Sequence, residues 1–198
     1  MRLYDHQYPS VTTILGVFNR YEGIGRNTLR LAAERGRQVH KVTALRNQGI
    51  TWTPPDVNLA VIRPYLEQYD ICKRHHIKNY MLIEQPLVNR KLGYGGTADR
   101  VGFLLGDANG LPPALIDLKT TADLDPLMAI QLAAYQELLE ANKIRVRRDA
   151  YIIHLTRTRY EFVNVWDVFD TAPEQALQGW HYARWLYYFT LKGKGSTA

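Results

Sequence analysis

Asp117 and Lys119 are where this sequence first speaks of chemistry. They stand two apart in the apolar run Ala114-Leu115-Ile116-Asp117-Leu118-Lys119. In an extended strand that spacing sends both side chains out of one face, with Cα atoms roughly 7 Å apart. Asp99 falls in an earlier strand-like run, and a return loop between the two would form a hairpin that sets Asp99 beside Asp117. Paired carboxylates hold a hard divalent cation through oxygen. Such a cation polarises a phosphate and acidifies water, and a neighbouring ammonium steadies the charge that builds up. The pattern fits metal-assisted phosphodiester cleavage. A plainer reading fits the same residues. Asp117 and Lys119 can be a solvated strand pair worth under about 1 kcal/mol, and Asp99-Arg100 an ordinary ion-pairing step. Leu115, Ile116 and Leu118 weigh the other way, because so apolar a strand carries Asp117 toward a core or a cleft.

The elements that must position these residues follow from period and punctuation. Residues 26–47 read as a helix, with Asn27 as a cap and Leu31, Ala32, Val39 and Leu45 on its apolar face. Pro54-Pro55 interrupts, and 56–76 reads as helical but broken or kinked at Pro64. The period then changes. Residues 80–89 and 97–105 are strand-like around a Gly-rich turn at 93–96, 106–113 is a loop, and 114–119 is a third strand. A helix over 126–142, capped by Asp125, carries Gln131 and Tyr135 one turn apart, able to bind a phosphate or orient Lys119. Strands at 149–154 and 160–165 flank a turn at 156–159, and Asp170 or Thr171 opens a last helix to about 190. The fold class is α/β, a central mixed β-sheet flanked by helices. Residues 1–191 make one domain, followed by a flexible tail at 192–198.

Composition bounds the rest. The chain has 198 residues, 46% of them hydrophobic, with 13 Tyr, 4 Trp and 5 Phe, which excludes a disordered chain. No apolar run approaches a membrane span and no secretory leader is visible, so a cytoplasmic, reducing location is expected. Cys72 is the one cysteine, which excludes an internal disulfide and an all-cysteine metal or iron–sulfur site. A net charge of +6 suits a polyanionic partner without demanding one.

Several clusters carry two readings. His40 alone is an ordinary hydrogen-bonded helix histidine, yet Gly36 one turn earlier leaves room beside it for a metal or phosphate. Cys72, His75 and His76 cannot converge from one helix and lack a fourth ligand, so zinc is disfavoured; Lys73, Arg74 and Lys78 beside them form a basic face. Arg145, Arg147 and Arg148 are a solvated turn or a phosphate track. In the last helix, Trp180, Arg184 and Tyr188 form a row and Leu177, Ala183 and Leu186 pack inward, leaving one or two aromatics for base stacking. Ser10, Thr12 and Thr13 cap local structure or grip a phosphate.

Taken together, Gly96-Thr97-Ala98-Asp99, then Asp117-Leu118-Lys119, then Gln131 to Tyr135 resemble the PD-(D/E)XK nuclease core, and within it the RecB-like exonuclease branch. Arg35-Gly36 with Val39-His40 resembles that branch's helical element. Pro9-Ser10-Val11-Thr12 is similar to the opening of its mitochondrial genome maintenance exonuclease subfamily. The resemblance implies a restriction-endonuclease-like fold and a metal-dependent DNA exonuclease acting in replication, recombination or repair. It implies His40, Asp99, Asp117 and the Leu118 carbonyl as ligands of one or two Mg²⁺ or Mn²⁺ ions, with Glu84 as a further acidic ligand. Lys119 is then the catalytic lysine, supported by Gln131 and Tyr135, and Ser10, Thr12, Arg35, Arg100 and Thr120 contact DNA. Relatives with an iron–sulfur cluster use four cysteines, so this chain stands apart from them. A phage origin and a strand-annealing or recombination partner fit by analogy. Two alternatives remain: a structure- or site-selective endonuclease, and a catalytically inactive DNA-binding module.

Overall fold

The fold was obtained as a computed structural model that describes residues 8–18 and 23–194. Among the described residues the chain opens with α1 (Val11–Leu15), which runs on into a single 3-10 turn, and α2 (Arg26–Asn47). Then come α3 (Leu59–His76), β1 (Ile77–Asn89), β2 (Tyr94–Leu104) and β3 (Ala114–Lys119). The chain continues through α4 (Leu127–Ala141), β4 (Ala150–Leu155), β5 (Tyr160–Asn164), α5 (Val165–Val168) and α6 (Pro173–Lys194).

The five strands lie in chain order, β1-β2-β3-β4-β5. All pairs are antiparallel except β3 with β4, which α4 connects as a parallel crossover. This is the mixed α/β sheet expected from the sequence. Side chains alternate across it. Leu115 and Ile152 face α1, α4 and α6, where they pack with Leu132, Leu138 and Trp180. Ile116, Leu118 and Ile153 face α2 and α3, against Val39, Val42, Ile62 and Tyr69. The period of two therefore sends Asp117 and Lys119 toward α4, on the same side as Leu115.

Four expectations about the elements need correction. Pro64 does not break α3, which runs unbroken through it. An interior proline costs about 3 kcal/mol, whereas each large apolar side chain buried returns roughly 1.5–3 kcal/mol. Ile62, Tyr65, Leu66, Tyr69 and Cys72 are all buried on the inner face, and burial wins. Asn27 does not cap α2: Gly25 holds the cap position, and Asn27 instead accepts a hydrogen bond from Arg30. The last helix begins at Pro173, not at Asp170 or Thr171, because the short helix α5 intervenes, capped by the Asn164 side chain on the Trp166 amide. That last helix continues to Lys194, past the expected tail boundary at 191; residues 195–198 of that tail lie outside the described residues.

Elsewhere some expectations hold and others do not. Asp125 accepts from the Leu127 amide at 2.7 Å at the start of α4. In α6, Trp180 is fully buried against Tyr94, while Trp185 and Phe189 stack on each other in solvent. Leu186 is 38% exposed, not packed inward. Cys72 is buried in the α2–α3 core and its thiol is pushed up to about 12 by burial. His75 bonds the Tyr160 hydroxyl and His76 stacks on Phe162. Arg147, from the basic run, is a structural pin: it binds Asp107 through both terminal nitrogens and the Pro112 carbonyl at 3.0 Å.

Candidate metal centre and active site

The β2–β3 pairing matches Arg100 with Ile116 and Val101 with Leu115, and continuing that register by one residue sets Asp99 opposite Asp117. This is the hairpin the sequence called for. Asp99 Oδ2 also accepts the Leu118 amide at 2.9 Å, so the carboxylate is tied to the strand that carries Asp117. On β1, Ile83 pairs with Arg100 and Gln85 with Ala98, which brackets Glu84 against Asp99. Three adjacent strands thus deliver three carboxylates to one line across the sheet.

From the helical side, α2 adds His40. Its Nδ1 lies 3.5 Å from Asp99 Oδ2 and 3.6 Å from Glu84 Oε1, while Nε2 hydrogen-bonds the Leu118 carbonyl at 2.8 Å. Ligand atoms of His40, Glu84 and Asp99 all lie within 4.8 Å of one another, close enough to share a metal ion. Burial alone would lower the His40 imidazole, but the charges of Asp99 and Glu84 hold it up at about 9. Burial likewise opposes ionisation of Glu84, yet His40 and Arg100 hold its carboxyl below the usual range.

Asp117 stands beside this trio, not within it. Its side chain is 4% exposed, and Lys119 Nζ approaches Oδ2 at 2.8 Å. The two form a buried ion pair at the edge of the trio. Burial pushes the Asp117 carboxyl up to about 6; Asp99 adds to the rise, and Lys119 and His40 oppose it. Lys119 Nζ also donates to Gln131 Oε1 at 3.0 Å, which joins α4 to the site. Tyr135, one turn further on α4, is buried, and a Cβ at Gly96 would lie 2.5 Å from its Cε1. Only glycine lets β2 pass under that ring.

The remaining sequence candidates separate into those near the site and those committed elsewhere. The Leu118 carbonyl is at the site, but there it accepts from His40 and orients the ring. Metal-bound histidines characteristically donate their second N–H to such a carbonyl. Arg35 is near the same strand end, where its NH2 donates to the Thr120 carbonyl at 2.8 Å and its guanidinium lies over the Tyr65 ring. Thr120 is 8% exposed, and its hydroxyl oxygen would lie 3.3 Å from a Cβ at Gly36. Gly36 therefore permits close packing of α2 on the end of β3, and the room expected there for a ligand is taken by Thr120. Arg100 is corrected outright. It is 1% exposed and bonds Glu84, the Asp99 carbonyl and Thr43, so it presents nothing to DNA. Ser10 caps α1 through the Thr13 amide and bonds the Thr12 and Thr13 hydroxyls, and it bridges to Gly95 on β2, well along the strand from Asp99.

Two supporting residues escaped the sequence reading. Thr43, one turn after His40 on α2, accepts from Arg100 at 2.9 Å. His154, opposite Lys119 in the β3–β4 register, is 3% exposed and bonds the Thr121 carbonyl and Glu161. The i,i+3 spacing from His40 was an available signal for Thr43; none marked His154.

No family model matches the sequence, and no curated protein matches it. Among solved structures, the fold matches the crystal structure of a "Putative exonuclease" from Eubacterium rectale with a TM-score of 0.54. The match spans 97% of this chain and 83% of that one at 13% sequence identity. The chain shares the overall fold of that structure. At that identity the likeness speaks for architecture alone, a five-stranded mixed sheet flanked by helices.

The residues present fit a divalent cation. One imidazole nitrogen and carboxylate oxygens form the mixed donor set that suits Mg²⁺ or Mn²⁺. Even with Lys119 at 2.8 Å, burial holds the Asp117 carboxyl up at about 6, so further positive charge beside it is favourable. Among the described residues no helix is long and apolar enough to cross a membrane.

Proposed function

We propose that the protein is a divalent-metal-dependent deoxyribonuclease that hydrolyses phosphodiester bonds from DNA strand ends. The observation that carries this reading is the convergence of His40, Glu84 and Asp99 beside a buried Asp117–Lys119 pair on the neighbouring strand. Like charges held together resist ionisation, and these carboxylates are held together by His40, Arg100 and Lys119, which offset their charge. The nuclease-like fold of the neighbour supports the same reading.

His40, Glu84, Asp99 and Asp117 would hold one or two Mg²⁺ or Mn²⁺ ions, which supply Lewis acidity at the scissile phosphate. The chain's own groups do the rest. Asp117 and Gln131 hold Lys119 Nζ at the mouth of the cluster, where its charge offsets that developing on the phosphate oxygens. The Leu118 carbonyl fixes His40 with Nδ1 toward the carboxylates. Tyr135 keeps α4, and with it Gln131, in register over β2 through its packing on Gly96. Arg35 and Thr120 secure the end of β3, and Ser10 and Thr12 remain the candidates for DNA contact. Residues 1–191 act as one nuclease domain in this reading, within a cell or an infecting phage, with DNA as substrate and a recombination or strand-annealing protein as partner.

The test is a cleavage time course on single- and double-stranded DNA labelled at either end, with Mg²⁺, Mn²⁺ or EDTA. Metal-dependent shortening from one end is expected. Cuts inside closed circles would replace this reading with an endonuclease. DNA binding without any cleavage would replace it with an inactive module.

A further inference from the structure

Glu84 has a feature that the function does not require of a strand residue. Its φ is +49°, in the left-handed region, although it lies within β1 and is not glycine. A residue held there costs about 1–3 kcal/mol and persists only where surrounding contacts enforce it. Those contacts can be traced. Arg100 NH1 donates to Glu84 Oε1 at 2.7 Å and to the Asp99 carbonyl at 2.6 Å. Arg100 NH2 donates to Thr43 Oγ1 at 2.9 Å, and the Thr43 hydroxyl bonds the Val39 and His40 carbonyls at 2.9 and 3.1 Å. The Tyr80 ring lies beneath the guanidinium.

One buried cation thus touches the backbone or side chain of three elements at once, and each of those elements supplies one member of the trio: His40 on α2, Glu84 on β1 and Asp99 on β2. A fully buried arginine is expensive to desolvate, and replacing such a buried ion pair as a whole by apolar residues is often neutral or stabilising for a fold, although removing the arginine alone strands its partner Glu84. Retention of the pair needs a use that packing does not supply. We propose that Arg100 is a positioning residue of the metal centre, whose guanidinium tethers the Glu84 carboxylate against His40 and Asp99 so that the three-ligand set is assembled before an ion arrives. A planar fork with several fixed donors performs this; a lysine, with one point charge, satisfies Glu84 but cannot reach Thr43 and the Asp99 carbonyl together.

This proposal rests on the metal-centre reading above and is tested without catalysis. Mn²⁺ binding to the full chain, in the absence of DNA, is followed by calorimetry and by the electron paramagnetic resonance of free Mn²⁺. Loss of a residue that orients a ligand typically lowers metal affinity 10–100-fold. Arg100→Met is expected to fall in that range while circular dichroism shows a folded protein, with Arg100→Lys in between. Glu84→Gln should weaken binding to a similar degree, and the double variant should be little worse than either single one, because both remove the same ligand from its place. Should Arg100→Met not fold, Thr43→Val loosens the same guanidinium with its charge kept and should still weaken Mn²⁺ binding several-fold. A folded Arg100→Met, or Thr43→Val in its stead, that binds Mn²⁺ like the unmodified protein overturns the proposal, as do losses that add in full. Wild-type protein that binds Mn²⁺ but never cuts DNA overturns the nuclease reading and leaves the tether standing.

Discussion

Asp117→Asn should make the metal-free protein more stable while abolishing cleavage. In the native state the Asp117 carboxyl is pushed from 3.8 up to about 6, chiefly by burial. A shift of one unit is about 1.36 kcal/mol, so ionising Asp117 costs the folded state on the order of 2–3 kcal/mol. The sign follows from linkage. The folded carboxyl binds its proton more tightly than the unfolded one, so that stabilisation is complete below pH 3.8 and is lost as pH rises through about 6. The amide is never charged and can keep an oxygen toward Lys119, so the variant escapes the loss. Urea unfolding in EDTA across pH 4 to 8 is the assay. The variant should match wild type to within about 1 kcal/mol at pH 4, then gain until the gap levels off above about pH 7. With a slope near 2 kcal/mol per molar, the midpoint should move up by about 1 M. A variant less stable than wild type at pH 7.5, or a gap that does not change with pH, would refute the claim that this carboxylate is held in a hostile site.

Gly96→Ala should destabilise by about 1–3 kcal/mol, since its Cβ would lie 2.5 Å from a buried ring with little room to retreat; Tyr135→Phe should not relieve it, whereas in a Tyr135→Ala background the same change should cost much less by urea unfolding. His40, held up at about 9 without metal, has a folded value above its unfolded 6.5. Its contribution is therefore present below pH 6.5 and lost as pH rises through 9, and His40→Gln should flatten the decline of stability over pH 7–9 in EDTA. For the same reason Mn²⁺ uptake at pH 7.5 should release close to one proton, read by calorimetry in buffers of different ionisation enthalpy.

How far the sequence revealed this site depends on the residue. Asp99, Asp117 and Lys119 were legible because strand alternation and a hairpin loop constrain where they can go, and the register obliges them. Gln131 was legible through helical spacing from a well-marked start at Asp125. Arg100 is expected at the DNA from sequence yet lies buried, because a charged residue next to Asp99 gives no sign in sequence of whether it points outward or inward. Its burial depends on Thr43 and Glu84, both distant in the chain. Gly36 was misread for a similar reason: the neighbour that fills its space, Thr120, comes from another element. Pro64 shows local propensity overruled by tertiary packing, and the left-handed turn at Glu84 has no local signature at all.

In the proposed reaction Lys119 and the neighbouring carboxylates perform phosphodiester hydrolysis. The most direct measurement is single-turnover cleavage of end-labelled DNA with Mn²⁺ by wild type and Lys119→Ala, with DNA affinity measured in parallel in Ca²⁺ or EDTA. Wild type should shorten the DNA, and the variant should bind it with similar affinity yet leave it intact. A Lys119→Ala protein that cuts at the wild-type rate would remove Lys119 from the reaction.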